Sequence, residues 1–188
     1  MSKKYALITG ASGGIGLELA KEFARHQWNL VIVARSTEKL EKLKKEIEEE
    51  FSVHVEVFTK DLSQSSQCAD LFKEVTAKGI SVEALVNNAG FGDHGLFKGT
   101  DWAREEMMIQ LNIAGLTHLT KLFLKEMVEK KRGYVLNVAS TAAFQAGPVM
   151  SVYFASKAYV LSFTEAIANE LSGTGVKVSA LCPGPTSS

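Results

Sequence analysis

The chain has 188 residues, 46% of them hydrophobic, which suits one globular domain with a sizeable core. Lys and Arg total 21, as do Asp and Glu, so bulk charge makes no case for nucleic acid or an anionic membrane surface. The N-terminal apolar run is too short for a signal-peptide core and no stretch approaches a membrane span, so the cytoplasm is the expected location.

Short apolar runs alternate with amphipathic ones. The first strand, 5–9, runs into a glycine loop and a helix from Gly14, whose apolar residues are Ile15, Leu19 and Phe23. A second strand at 29–34 precedes a helix that opens on Ser36 as N-cap and repeats Leu40, Leu43 and Ile47. The Lys/Glu-rich stretch 38–50 reads as its solvated face. A third strand at 53–58, a helix at 66–78 and a fourth strand at 82–88 follow. Then come a long helix from about 101 to 130, a strand at 133–140, a helix from about 151 to 171 and a sixth strand at 176–182. This alternation predicts right-handed crossovers and an α/β, doubly wound parallel sheet with helices on both faces. No repeat or linker divides the chain, so residues 1–188 form one expected domain. Cys68 and Cys182 each fall in an apolar pattern and read as reduced core thiols. No His/Cys cluster has metal-ligand spacing, so no metal is expected; His94 is a candidate for lining a substrate cleft.

The loop after the first strand reads "TGASGGIG". Gly10 permits a sharp turn out of the strand, and Gly14 and Gly16 let a helix N-terminus approach both a ligand and the sheet. The unpaired N–H groups and the dipole there favour a phosphate, which in a doubly wound fold points to a dinucleotide. A site that prefers NAD(H) places a carboxylate after the second strand; here "VIVARST" offers Arg35 and Ser36 instead. Arg35 can pair with a 2′-phosphate, with Ser36 and Ser12 as further donors, so NADP(H) is expected over NAD(H).

Tyr153 and Lys157 stand at i and i+4 and so share a helix face. A free phenol is a poor acid near neutrality, with a pKa of about 10. An ammonium at ~4 Å and an effective dielectric of ~20 favours phenolate by about 4 kcal/mol, against which burial works. Ser140 ends the fifth strand at the edge where open α/β sheets bind ligands, and "NNAG" (87–90) ends the fourth at the same edge. Asn112 sits inside a helix, where its propensity is poor.

Together these residues resemble the short-chain dehydrogenase/reductase family over essentially the whole chain. The match comprises Thr9-Gly10-x-x-x-Gly14-x-Gly16, Asp61, Asn87-Asn88-Ala89-Gly90, Asn112, Ser140, Tyr153-x-x-x-Lys157 and Pro183-Gly184. The resemblance implies a Rossmann-like sheet of about six strands in the order 3-2-1-4-5-6. It implies that Tyr153 exchanges a proton with a carbonyl or alcohol oxygen as hydride moves to or from the nicotinamide. Lys157 would lower the Tyr153 pKa and bind the nicotinamide ribose, Ser140 would orient the carbonyl, and Asn112 would anchor a proton-relaying water chain. Gly10, Ser12, Gly14, Ile15 and Gly16 would hold the cofactor, with Asp61 and Leu62 at the adenine and Asn88, Ala89 and Gly90 at the adenosine ribose. Pro183 and Gly184 would begin a segment whose hydroxyl, Thr186 or Ser188, reaches the nicotinamide amide.

Family members commonly pair long helices between subunits, so a homodimer or homotetramer through 101–130 and 151–171 is implied, with Phe123, Met127, Phe154, Leu161 and Phe163 as candidate contacts. A further strand and helix usually follow the sixth strand in the family, and the sequence here reads as lacking them. The expected consequences are an open, wet substrate pocket, an exposed edge at 176–182 and a terminal carboxylate near the cofactor. Phe91, Phe97, Phe144 and Met150 point to a hydrophobic small-molecule substrate. Two readings follow: an NADPH-dependent carbonyl reductase, or an NADP(H)-binding protein with little or no turnover.

Overall fold

The structure is a computed structural model, and residues 4–186 are described. Six parallel strands form one sheet in the order β3-β2-β1-β4-β5-β6. They are β1 (Tyr5–Thr9), β2 (Asn29–Ala34), β3 (Val55–Thr59), β4 (Val82–Asn87), β5 (Gly133–Val138) and β6 (Val176–Leu181). The helices are α1 (Gly14–Arg25), α2 (Thr37–Phe51), α3 (Ser65–Ala77), α4 (Trp102–Ile109), α5 (Leu116–Glu129) and α6 (Ser151–Glu170). The alternation of buried side chains along β1 and β2 splits the core in two. Leu7, Val31 and Val33 face Leu71, Val75, Leu119, Phe123 and Met127 on one side. Ala6, Ile8, Leu30 and Ile32 face Ala20, Ala24, Leu40 and Ile47 on the other.

Two helices differ in character from the sequence expectation. The long helix at 101–130 is not one α-helix: a π-helical segment, Gln110–Gly115, separates α4 from α5. Its widened turn carries Asn112 and brings Gly115 against the Leu62 carbonyl, where a Cβ would lie 2.5 Å from the oxygen. In α1 the fully buried stripe is Gly16, Ala20 and Ala24; Ile15, Leu19 and Phe23 lie only partly buried beside it. Small residues win that face because the helix approaches the sheet too closely for larger ones. Cys68 is buried but Cys182 is only partly so, correcting the reading of both as core thiols. Phe123 and Met127 are core residues, whereas Phe154, Leu161 and Phe163 are partly buried. β6 lies at the edge of the described sheet, as expected.

The expected N-cap of α2 is present, with the Ser36 hydroxyl accepting the Lys39 N–H at 3.4 Å. Near the ligand edge of the sheet, a buried polar ladder crosses β4 and β5. Asn87 Nδ2 donates to Thr120 Oγ1 and to Asn137 Oδ1, and Asn137 Nδ2 donates to Thr164 Oγ1, each at 2.9 Å. It joins α5 and α6 to the two strands whose ends carry the site residues.

Candidate active site

β1 and β4 are neighbours whose crossovers leave toward opposite edges, so a crevice opens outside their carboxyl ends. The cleft there has a volume of about 1290 Å³, above the roughly 300–1,000 Å³ of common small-molecule sites, and so has room for two ligands. Its floor is the glycine loop. Gly10 has φ +67° and Gly14 φ +54°, both in the left-handed region that glycine adopts without strain. A Cβ on Gly16 would overlap the Gly10 carbonyl oxygen and Asn88 Nδ2. One on Gly10 would lie 2.9 Å from the Ala89 Cα.

Hydrogen bonds close the same seam. Thr9 Oγ1 accepts the N–H groups of Asn88 (3.0 Å) and Ala89 (2.9 Å), and Asn88 Nδ2 donates to the Thr9 carbonyl at 2.9 Å. α1 has no side-chain cap and no acidic residue in its first turn, and Gly13 borders open space. Its first N–H groups therefore face the cleft unpaired, which suits an anion.

Beyond the end of β2, Arg35, Ser36 and Lys39 form a cationic rim. Lys39 was missed in the sequence because a lysine within a Lys/Glu-rich helix looks like a solvated face; its place one turn after Arg35 was the available signal. Asp61 and Leu62 line the wall after β3. Burial pushes the Asp61 carboxyl up. The Ser63 hydroxyl (2.7 Å) and N–H (3.1 Å) and the charge of Arg35 outweigh it and hold the group below its ordinary value.

At the other end the cleft is lined by Ser140, Tyr153 and Lys157, with Asn88, Ala89 and Gly90 between the two ends. Lys157 is buried, and its Nζ donates to the Val138 carbonyl at 2.8 Å and lies 5.8 Å from the Tyr153 ring centroid. Burial pushes this amine down to about 8, with the neighbouring Cys182 sulfur acting the other way. Ser140 Oγ accepts the Ala142 N–H at 3.1 Å, while its own proton has only a long contact to the Pro183 carbonyl at 3.5 Å. The hydroxyl is therefore free to turn toward a ligand oxygen.

Pro183, Gly184 and Thr186 also line the cleft, as do Ser12, Ile15 and His94. Ser188 lies outside the described residues.

Two sequence candidates stand behind the cleft rather than in it. Gly16 lies beneath the floor. Asn112 is buried, and its side chain is spent on protein groups: Nδ2 donates to the Phe91 carbonyl (3.0 Å) and Ser156 Oγ (3.1 Å), and Oδ1 accepts the Phe91 N–H (3.2 Å). Ser156, which sequence reasoning passed over, relays this to α6 by donating to the Tyr153 carbonyl at 2.7 Å. Asn112 thus holds the loop after β4 against the helix that carries Tyr153. Among the described residues no group of His, Cys, Asp and Glu could hold a metal ion, and no helix is long and apolar enough to cross a membrane.

Comparison with known proteins gives a consistent result. The family model described as short chain dehydrogenase matches residues 4–188. The 17-beta-hydroxysteroid dehydrogenase type 3 of Mus musculus is 33% identical over 187 residues, which cover 96% of this chain and 59% of the mouse protein. The chain therefore spans little more than half the length of that relative. The crystal structure of a bulky-bulky ketone specific alcohol dehydrogenase from Comamonas testosteroni superposes with a TM-score of 0.93 at 32% identity, covering 99% of this chain and 74% of the other. A short-chain dehydrogenase from Sphingobium yanoikuyae in complex with NADPH gives 0.93 at 34% identity, covering 98% and 72%. A family match from Lys4 onward, on the sheet order and glycine floor described above, means that this chain belongs to the short-chain dehydrogenase family of oxidoreductases.

Proposed function

We propose that the protein is an NADPH-dependent carbonyl reductase that also runs in the alcohol-oxidising direction. The observation that carries this reading is the layout of one cleft, with Ser140, Tyr153 and Lys157 at one end and a glycine floor with a cationic rim at the other. The floor fits a dinucleotide: Gly10 and Gly16 leave no space for a Cβ, and the first turn of α1 offers unpaired N–H groups. Arg35 and Lys39 would hold a 2′-phosphate, which favours NADP(H) over NAD(H). The NADPH bound to the Sphingobium yanoikuyae relative supports that choice.

The bound dinucleotide supplies the hydride chemistry. Ser140 donates a hydrogen bond to the carbonyl oxygen of the substrate. Tyr153 gives that oxygen its proton, and takes it back in the reverse direction. Lys157, pushed down only to about 8, keeps its proton for most of the time at neutral pH, and offsets the charge left on the phenol oxygen. Asn112, acting through Phe91 and Ser156, fixes the wall on which Tyr153 stands; its side chain has little capacity left to anchor a water.

The substrate we assign is a bulky hydrophobic ketone or secondary alcohol. Phe91, Met150 and Phe154 line the cleft, and Leu96, Phe97 and Phe144 are exposed in the segments after β4 and β5 that border it in sequence. A hydroxysteroid dehydrogenase from mouse and a bulky-bulky ketone specific alcohol dehydrogenase from Comamonas testosteroni, both similar to this chain, agree with that chemistry. Partly exposed Met107, Tyr159 and Phe163, on α4 and α6, are the surfaces we assign to a homodimer or homotetramer. The free thiols fit a reducing, cytoplasmic setting.

Titration with NADPH and NADH, followed by nicotinamide fluorescence, tests the cofactor reading; tighter NADPH binding is expected. Ketone-dependent NADPH oxidation, lost in Tyr153→Phe, tests the chemistry. NADPH binding without oxidation across a broad ketone panel would replace this reading with that of a dinucleotide-binding protein with little turnover.

A further inference from the structure

The loop after β5 contains a backbone conformation that its sequence disfavours. Gly147, Pro148, Val149 and Met150 form a turn closed by the Met150 N–H on the Gly147 carbonyl at 3.1 Å. Proline second and a positive φ third is the pattern of a type II turn, whose third position favours Gly or Asn. Here that position is Val149, at φ +61°. A β-branched residue in the left-handed region is a genuine outlier, and such strain persists where the surroundings hold it.

The surroundings are specific. The Val149 carbonyl accepts the Gly95 N–H at 2.7 Å, which ties the loop after β5 to the loop after β4. The latter loop is already fixed at Phe91 by Asn112. Between these two points lies Gly92, packed so closely that a Cβ would sit 3.1 Å from Tyr153 Cδ2 and 3.3 Å from Met150 Cε. Met150 leads directly into α6, where its carbonyl accepts the Phe154 N–H at 3.0 Å.

We propose that the left-handed turn at Val149 is a latch: it aims a backbone carbonyl at Gly95, joins the two walls of the reaction cleft, and presses Gly92 onto the Tyr153 ring so that the phenol keeps its orientation. Val149 is then a positioning residue for the reduction proposed above, and the inference rests on that reading for its catalytic consequence. The geometric part stands independently. A fixed ring matters because misplacing a reacting group by about 1 Å can cost about a hundredfold in rate.

The test uses the whole chain. In the wild type the Gly95 amide should exchange with solvent at least about tenfold more slowly than those of His94 and Leu96, which have no partner among the described residues. Val149→Pro sets φ near about −65° and forbids the turn. It should bring Gly95 exchange to its neighbours' rate and lower kcat for a ketone about tenfold or more, with NADPH affinity unchanged within about twofold. Val149→Asn tolerates the left-handed region and should keep both properties.

A wild-type Gly95 amide that exchanges as fast as its neighbours overturns the latch. So does a Val149→Pro chain that turns over like the wild type. If Val149→Pro fails to fold, the wild-type exchange comparison still decides. If the parent chain binds NADPH but reduces no ketone, the proposed reaction fails, and Gly95 exchange alone decides the latch.

Discussion

Lys157 Nζ donates to the carbonyl of Val138 at 2.8 Å, and Val138 ends the strand that leads to Ser140. The bond anchors a cation that is only 7% exposed. Between pH 8 and 10.5 the unfolded chain carries more protons on this side chain than the folded one, so stability rises with pH across that window. At neutral pH the buried ammonium costs the fold up to about 3 kcal/mol. Lys157→Met should therefore stabilise the protein at pH 7 by about 1–2 kcal/mol, after losing about 1 kcal/mol for the unmet Val138 carbonyl. Urea unfolding at pH 7 and at pH 10 should show the gain shrinking with pH. Turnover of the variant should be lost. A variant less stable than the wild type at pH 7 would contradict the argument.

The cationic rim makes a second prediction. Arg35→Ser should weaken NADPH binding by about ten- to a hundredfold, the worth of a charge-assisted hydrogen bond of about 1.5–3 kcal/mol, and leave NADH binding nearly unchanged. Lys39→Ala should act in the same direction with a smaller effect, because a lysine offers a point charge rather than a fork. Parallel titrations with both cofactors separate the rim from the floor. Equal losses for NADPH and NADH would remove Arg35 from the 2′-phosphate.

Gly16→Ala and Gly13→Ala each add one methyl, three residues apart at the start of α1, and should behave oppositely. The first places a methyl on the Gly10 carbonyl and should cost about 1–3 kcal/mol or more of stability. The second points into open space and should change stability by less than about 0.5 kcal/mol. Gly13 faces the cleft, so its variant should still lose cofactor affinity. Thermal melts beside NADPH titrations would resolve the two effects.

The buried amide ladder predicts coupling between strands. Asn137→Ala removes the acceptor for Asn87 and the donor for Thr164 at a fully buried position. It should cost about 2–4 kcal/mol, with Asn87→Ala adding less than its separate effect. Strict additivity in a double-mutant cycle would mean that the ladder is not a unit.

The strands were legible because they are continuous Val, Ile and Leu runs bounded by turn residues. β1 and β2 fall at the expected residues, while β3 begins at Val55, two residues after the expected start. His54 is held outside the strand by its N–H on Asn29 Oδ1 at 2.8 Å. The π segment was not legible, because one widened turn hardly disturbs a 3.6-residue period; only Asn112 and Gly115 marked it. The stripe of α1 was misread because hydrophobicity ranks Ile15, Leu19 and Phe23 above glycine and alanine, while close packing selects for the absence of side chain. At the site, Tyr153 and Lys157 were legible as a pair by their i, i+4 spacing, while the roles expected of Asn112, Ser140 and Asp61 came with the family resemblance. Contacts such as Asn112 to Ser156 and Gly95 to Val149 were not legible, because they join segments distant in sequence.

The seam at Gly10, Gly16 and Asn88 has a consequence for redesign. Backbone touches backbone there, so the floor we assign to the nucleotide has no adjustable volume and few substitutions open to it. The rim is different, since Arg35 and Lys39 are exposed and few groups pack on them. With the rim in its proposed role, a few surface exchanges after β2 would change which nucleotide is preferred. A methyl at Gly16, by contrast, would meet the Gly10 carbonyl and Asn88 and disturb the whole floor. Preference is the plastic trait of this scaffold, and binding the brittle one.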